Sequence, residues 1–160
     1  MRKPTGQKAN EAAFDSPSAP PRRLGRDAID MLAQIPLFSD LSRRHLGKIA
    51  AVATTRRYAP GAPLVRVGAP GDAFYVVLDG NVRVDVPGRP AELGVGDFFG
   101  EMALLDGEPR SATVVAVGDV YALLIARTKF AKLLEAEPKI ALAIMATLTG
   151  RLRALQAATA

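Results

Sequence analysis

The chain predicts a mainly β fold, a barrel or jelly roll, with helices at both ends. Three observations carry that prediction. Between residues 54 and 126, apolar segments of strand length recur about every 8–12 residues, with Gly-, Pro- and Asp-containing turns between them. On either side of this region the apolar spacing changes to the three-and-four rhythm of helices. The chain contains no internal repeat.

Residues 1–24 read as a disordered, basic, Pro-rich tail, since Pro4, Pro17, Pro20 and Pro21 are mixed with Gly, Ser and charges and little could be buried. A helical region is expected over 25–53. Its first helix starts near Arg26, with Asp27 favourable at the N-terminus and Ile29, Leu32 and Ala33 on one face, and Pro36 ends it. Ser39-Asp40-Leu41-Ser42 offers caps for a second helix carrying Leu46, Ile49, Ala50 and Ala53.

Strands are expected over 54–126. Val65 and Val67 alternate before a turn at 68–72, and residues 74–78 form a continuous apolar run. Asp79-Gly80-Asn81 is a hairpin signal, after which Val82, Val84 and Val86 alternate with Arg83 and Asp85. Pro87-Gly88-Arg89-Pro90 makes a further turn. Two more strands, at 113–117 and 120–125, flank Gly118-Asp119. Helix returns over 127–158, where Thr128 can cap a segment with Phe130, Leu133 and Leu134. Pro138 suits the first turn of a last helix, on which Ala141, Met145, Leu148, Leu152 and Leu155 form a seam.

Composition narrows the chemistry. At 160 residues the chain suffices for one domain, here 25–160, and its 49% hydrophobic and 23% charged content is that of an ordinary soluble protein. With no cysteine, disulfides, thiolate catalysis, zinc–thiolate sites and iron–sulfur clusters are all excluded. His45 is the sole histidine, which removes the multi-histidine metal sites of small barrel enzymes; it reads as a surface residue rather than a base. The net charge of +5 is mostly in the tail, where residues 1–26 carry +4 and the remainder +1. A near-neutral body argues against DNA binding. No apolar run reaches the ~20 residues of a membrane span, and no apolar core follows the basic N-terminus as in a signal peptide. A cytoplasmic location is expected.

The segment 94–114 carries the functional signal. Gly94, Gly96 and Gly100 allow tight turns and close backbone approach to a ligand. A short helical turn from Gly100 would aim unpaired N–H groups at an anion. Arg110 follows past the turn Asp106-Gly107-Glu108-Pro109, and a guanidinium stays charged and donates to phosphate in pairs. Glu101 can only accept, which suits a sugar hydroxyl. A cyclic nucleotide presents both an anionic phosphodiester and a ribose hydroxyl. The glycines are not a dinucleotide fingerprint, because Gly100 falls one position too late, and no phosphate-binding G-x-x-x-x-G-K-[ST] loop is present.

Phe99-Gly100-Glu101, Ala103-Leu104-Leu105 and Pro109-Arg110-Ser111-Ala112-Thr113-Val114 together resemble the phosphate-binding cassette of the cyclic-nucleotide-binding domain family. That family includes bacterial cyclic-AMP receptor proteins and kinase regulatory subunits. Pro36-Leu37-Phe38-Ser39-Asp40-Leu41-Ser42, the 68–72 turn, Phe74-Tyr75-Val76-Val77 and Asp79-Gly80 extend the resemblance over about residues 30–157. It implies an eight-stranded antiparallel β-roll with N-terminal helices and C-terminal lid helices. It also implies that Glu101 holds the ribose 2′-hydroxyl and Arg110 the cyclic phosphate. The amides of Gly100, Met102 and Ala103 would line the phosphate pocket, with Ser111 and Ala112 beside it. In relatives the residue after the arginine is often alanine with cyclic AMP and threonine with cyclic GMP; Ser111 is similar to bacterial cyclic-AMP receptors, so cyclic AMP is favoured. Leu148, Arg151, Leu152 and Leu155 are candidates to cover the base, against an equal alternative in which they simply pack on the roll.

The chain is therefore expected to be a sensor and not an enzyme, with a cyclic nucleotide as ligand and no metal or other cofactor. It ends at Ala160 without a helix-turn-helix, which suggests a stand-alone module signalling through an unidentified effector protein by movement of its C-terminal helix. It would act as a monomer or as a dimer through that helix. The alternatives are a roll that serves only as an interaction or dimerisation module, and the regulatory fragment of a larger protein.

Overall fold

The computed structural model describes residues 22–24, 28–86, 88 and 90–159. Residues 1–21 of the expected tail, and 25–27 at the expected start of the first helix, lie outside the described residues. Within the stretch read as tail, Arg22–Arg23 form a short strand β1. It pairs antiparallel with β2, Arg22 opposite Thr55. An edge strand needs only backbone donors and acceptors, so no apolar pattern announces it.

Helix α1 (Ala28–Ala33) buries Leu32 and half-buries Ile29, whereas Ala33 is exposed. Pro36–Phe38 form a 3-10 turn. Helix α2 (Arg43–Val52) is capped by Ser42, whose side chain accepts from the His45 N–H at 3.3 Å. Leu46 and Ile49 are its buried face. Ala53, expected on the same face, has extended backbone and opens β2 instead.

The β region comprises β2 (Ala53–Tyr58), β3 (Pro63–Val65), β4 (Ala73–Asp85), β5 (Ala91–Leu93), β6 (Phe98–Phe99) and β7 (Thr113–Ala126). Two expected breaks are not breaks. Asp79-Gly80-Asn81 does not form a hairpin but lies inside the single strand β4, and Gly118-Asp119 lies inside β7. β4 and β7 pair antiparallel along their length, from Ala73 opposite Ala126 to Asp85 opposite Thr113, and the register slips between Val77 and Asn81. Gly80 and Gly118 have φ values of 87° and 82° at this slip. The glycines thus bend two partnered strands at one level, making a corner where sequence reading expects a chain reversal.

The corner divides the sheet into two arms. On one side the β4–β7 pair is flanked by β6 and β2; on the other by β5 and β3. Counting the arms separately gives eight strands from Ala53 to Ala126, as expected for a β-roll. Alternation along β4 then builds two cores. Tyr75 and Val77 point into the roll with Val82, Val114 and Leu124. Phe74 and Val76 point the opposite way, against the helices. The run 74–78 is apolar on both faces because both faces are covered.

Helix α4 (Arg127–Ala136) follows β7 without a turn, and helix α5 (Pro138–Thr159) closes the chain. Thr128 is not the cap of α4. The helix begins at Arg127, whose N–H donates to the Asp72 carbonyl at 2.9 Å, so a neighbouring loop satisfies its first donor. Phe74 stacks on Phe130 of α4 at 4.7 Å between ring centroids. Where α4 meets α5, buried Glu137 accepts from Lys48 Nζ at 3.0 Å, and His45 Nε2 lies 2.9 Å from its other oxygen. His45 is thus half-buried and tied to a carboxylate, not free on the surface.

The corner makes a testable distinction. A Cβ at Gly80 would collide with the Asp119 carbonyl oxygen, whereas one at Gly118 would meet nothing within 4 Å. Gly118→Ala should cost only the left-handed backbone penalty of about 1 kcal/mol. Gly80→Ala should cost roughly 3 kcal/mol or more, read as the difference in urea midpoints.

Candidate functional site

The site lies inside the roll, in the arm bounded by β3, β5 and the corner. Helix α3 (Glu101–Asp106) is a single short helix held between Gly100 (φ 91°) and Gly107 (φ 71°). At Gly100 a side chain is disfavoured for a second reason besides its positive φ. A Cβ there would lie 2.8 Å from Arg110 Nη1 and 3.1 Å from the Ala73 carbonyl oxygen.

Arg110 is 5% exposed, and two separate segments, at 72–73 and at Gly100, contribute acceptors to its guanidinium. Nη1 donates to the Gly100 carbonyl at 2.8 Å, and Nη2 to the Ala73 carbonyl at 2.7 Å and to Asp72 Oδ1 at 3.1 Å. Its backbone is fixed as well. The Arg110 N–H donates to the Ala69 carbonyl, and its own carbonyl accepts from Gly68, both at 2.8 Å. The guanidinium carbon sits 5.8 Å from the Tyr75 ring centroid. Asp72, the carboxylate paired with it, has a side chain 78% exposed, so water screens its charge far more than that of the guanidinium. The result is a buried cation with its donors ordered and its charge incompletely offset, which favours an anion nearby.

Glu101 is 3% exposed. Its Oε1 lies 3.6 Å from Arg151 Nη1, and its Oε2 is buried with no hydrogen-bond partner. Burial pushes this carboxyl above its ordinary value near 4.5, opposed by a backbone hydrogen bond and then by the charges of Arg151 and Arg110. An unpartnered, buried carboxylate oxygen is an acceptor in need of a donor.

These groups share one cavity of about 650 Å³, a size suited to a small organic ligand. All seven cassette residues, Gly100, Glu101, Met102, Ala103, Arg110, Ser111 and Ala112, line it. Val65, Val84, Leu93, Phe99 and Val114 supply an apolar wall. Of the four candidate lid residues, Arg151 and Leu155 reach the cavity, together with Ala154. Leu148 packs instead against the helix-side core, and Leu152 is exposed and does not line this cavity. The seam read from 4-3-4-3 spacing therefore splits between two faces of α5, the buried one marked by Ile140 and Ile144. Gly94 and Gly96 do not reach the cavity. They form the turn between β5 and β6, where Gly94 N–H donates to Asp97 Oδ2 at 2.9 Å.

Residues 55–137 match the family described as cyclic nucleotide-binding domain, which is about half of the chain. The chain belongs to that family. A cyclic nucleotide-gated potassium channel of Mesorhizobium japonicum is 43% identical over 111 residues, 69% of this chain and 31% of the channel. The catabolite activator protein of Thermus thermophilus superposes with a TM-score of 0.69 at 35% identity, covering 78% of this chain and 61% of that one. The regulatory domain of Toxoplasma gondii protein kinase A, solved with cAMP, gives 0.67 at 29% identity over 76% of this chain and 49% of that one. The chain thus spans about a third of the length of the curated channel it matches.

Sequence reasoning about this cyclic nucleotide-binding domain missed the groups that hold Arg110. Asp72 was visible only as a turn residue, and the Ala73 and Gly100 acceptors are backbone. The pairing of Arg151 with Glu101 had no local signal, since 50 residues separate them.

Burial of Glu101 has a measurable consequence. A carboxyl raised above its unfolded value stabilises the fold only at low pH, and that contribution is lost as pH rises. Glu101→Gln cannot ionise, so the ligand-free variant should melt at a higher temperature than the parent at pH 7. The advantage should shrink as pH falls towards 4.5, which thermal melts across that range would read.

Proposed function

We propose that this domain binds a cyclic nucleotide in the roll cavity and passes the binding event to a partner protein through helix α5. One observation carries the reading. A buried guanidinium with incomplete counter-charge and a buried carboxylate, one of whose oxygens lacks a donor, belong to residues that line the same cavity. A singly charged phosphodiester answers the first and a ribose 2′-hydroxyl the second. Arg110 takes the cyclic phosphate with the amides of Gly100, Met102 and Ala103, and Ser111 and Ala112 sit beside it. Glu101 accepts from the 2′-hydroxyl. The apolar wall receives the sugar and base.

Cyclic AMP is the favoured ligand over cyclic GMP. Ser111 is similar to the bacterial cyclic-AMP receptors at this position, and the Toxoplasma domain was solved with cAMP. The site contains no nucleophile–base pair, so the role is sensing rather than catalysis, with no cofactor required. The functional unit is residues 25–160. A cytoplasmic setting is part of this reading; among the described residues, no helix is long and apolar enough to cross a membrane.

Helix α5 suits the output. It meets the cavity through Arg151, Ala154 and Leu155 and leaves Leu142, Met145 and Leu152 exposed on its outer side. A ligand that reseats its inner face moves the outer one with it. An effector protein, or a second copy of the chain, is the proposed reader, and DNA is not.

Titration calorimetry with cyclic AMP and cyclic GMP tests the ligand directly. Arg110→Ala should weaken binding by about one to two orders of magnitude, the loss of charge-assisted bonds worth about 1.5–3 kcal/mol. Unchanged affinity would remove Arg110 from the site. Glu101→Ala should cost about tenfold and erase the preference for cyclic AMP over its 2′-deoxy analogue.

A further inference from the structure

Arg151 reaches the cavity from α5 and is held there at two points before it meets Glu101. Its Nη2 donates to the Phe98 carbonyl at 2.8 Å, and its guanidinium carbon lies 4.6 Å from the Phe98 ring centroid. Phe98 is buried in β6, so the anchor is rigid. From that anchor Nη1 faces Glu101 Oε1 at 3.6 Å, leaving Oε2 buried and unpartnered. The Arg151 side chain is 35% exposed, so it keeps contact with water while Glu101 does not.

We propose that Arg151 is a positioning residue for hydroxyl recognition: pinned to Phe98, it holds the Glu101 carboxylate charged and in place beside the cavity for a ligand hydroxyl. This rests on the reading that the cavity takes a cyclic nucleotide. The physical argument is short. A carboxyl group in an apolar wall tends towards its neutral form, which accepts a hydroxyl proton less strongly than the carboxylate. Arg151 and Arg110 are the cations that oppose this at Glu101, and Arg110 is already committed to the Gly100 and Ala73 carbonyls and to Asp72. Of the two, Arg151 is the one carried by α5. The seat of α5 and the strength of the 2′-hydroxyl contact become linked, so this helix senses the sugar as well as the base.

The test uses the full chain with Arg151→Gln and Arg151→Lys, titrated with cyclic AMP and 2′-deoxy cyclic AMP between about pH 5 and 8. The parent should prefer cyclic AMP about tenfold. Arg151→Gln should weaken cyclic AMP clearly more than the 2′-deoxy analogue, so that most of the preference is lost, and Arg151→Lys should keep part of it. As pH is lowered, cyclic AMP affinity should fall earlier in Arg151→Gln than in the parent. In a Glu101→Gln background, Arg151→Gln should no longer affect the preference. A purely covering role would weaken both ligands equally, and that result overturns the proposal. Preference and pH profile unchanged in Arg151→Gln would overturn it as well. If the parent binds neither cyclic AMP nor cyclic GMP, the cavity reading itself falls and takes this proposal with it; a parent that binds, with an indifferent Arg151, defeats this proposal alone.

Discussion

A guanidinium that is almost wholly out of water organises the site. Burying Arg110 is tolerable only if its donors find acceptors, and the acceptors it finds are backbone carbonyls on separate segments. Satisfying it therefore fixes the loop before β4 and the start of α3 relative to each other. The Asp72 carbonyl in that same loop accepts from the first amide of α4, so the arginine's grip on the loop extends to where the C-terminal helices begin. Gly100 must then be glycine, because the space a Cβ needs is occupied by the arginine itself.

Around this centre two cores share one set of strands. The roll core holds Tyr75, Val77 and Leu124, and the helix-side core holds Phe74, Val76, Leu123 and Ile125, drawn from the same β4 and β7. The helices are joined to each other as well as to the sheet. Glu137, buried at the junction of α4 and α5, is held by His45 and Lys48 of α2, so the helices that precede the roll in the chain and those that follow it, already sharing one apolar core, are also tied at this carboxylate. Glu137 is the buried member, so it is the loss of the Lys48 ammonium that would leave its charge poorly compensated.

Much of this was legible from residue order, and the exceptions have physical reasons. The helix and strand regions were readable because apolar periodicity is set by which faces are covered. The cassette was readable because its residues are close in sequence and chemically unusual together. The corner at Gly80 and Gly118 was misread as two reversals, since a glycine beside Asp or Asn signals positive φ without saying whether the chain turns back or bends with a partner. Thr128 looked like a cap, but the first amide of α4 is satisfied by a loop more than 50 residues earlier. Leu152 looked like part of a seam because heptad spacing identifies a stripe and not which of its members face inward. The supports of Arg110 could not be read at all, being mostly carbonyls that every residue carries.

The two-residue strand β6 has a consequence of scale. Phe98 points to the helices, where it meets Phe74 at 5.5 Å and carries Arg151; Phe99 points into the roll, where it stacks on Tyr75 at 4.9 Å. The partition between the ligand chamber and the helical mantle is here one peptide unit thick. A longer relay would have slack in it, with side chains able to absorb a displacement by changing rotamer. This one has two aromatic rings on adjacent backbone atoms, each packed and neither free to turn away. Chamber and mantle therefore share this one peptide unit, with packed rings on both of its faces.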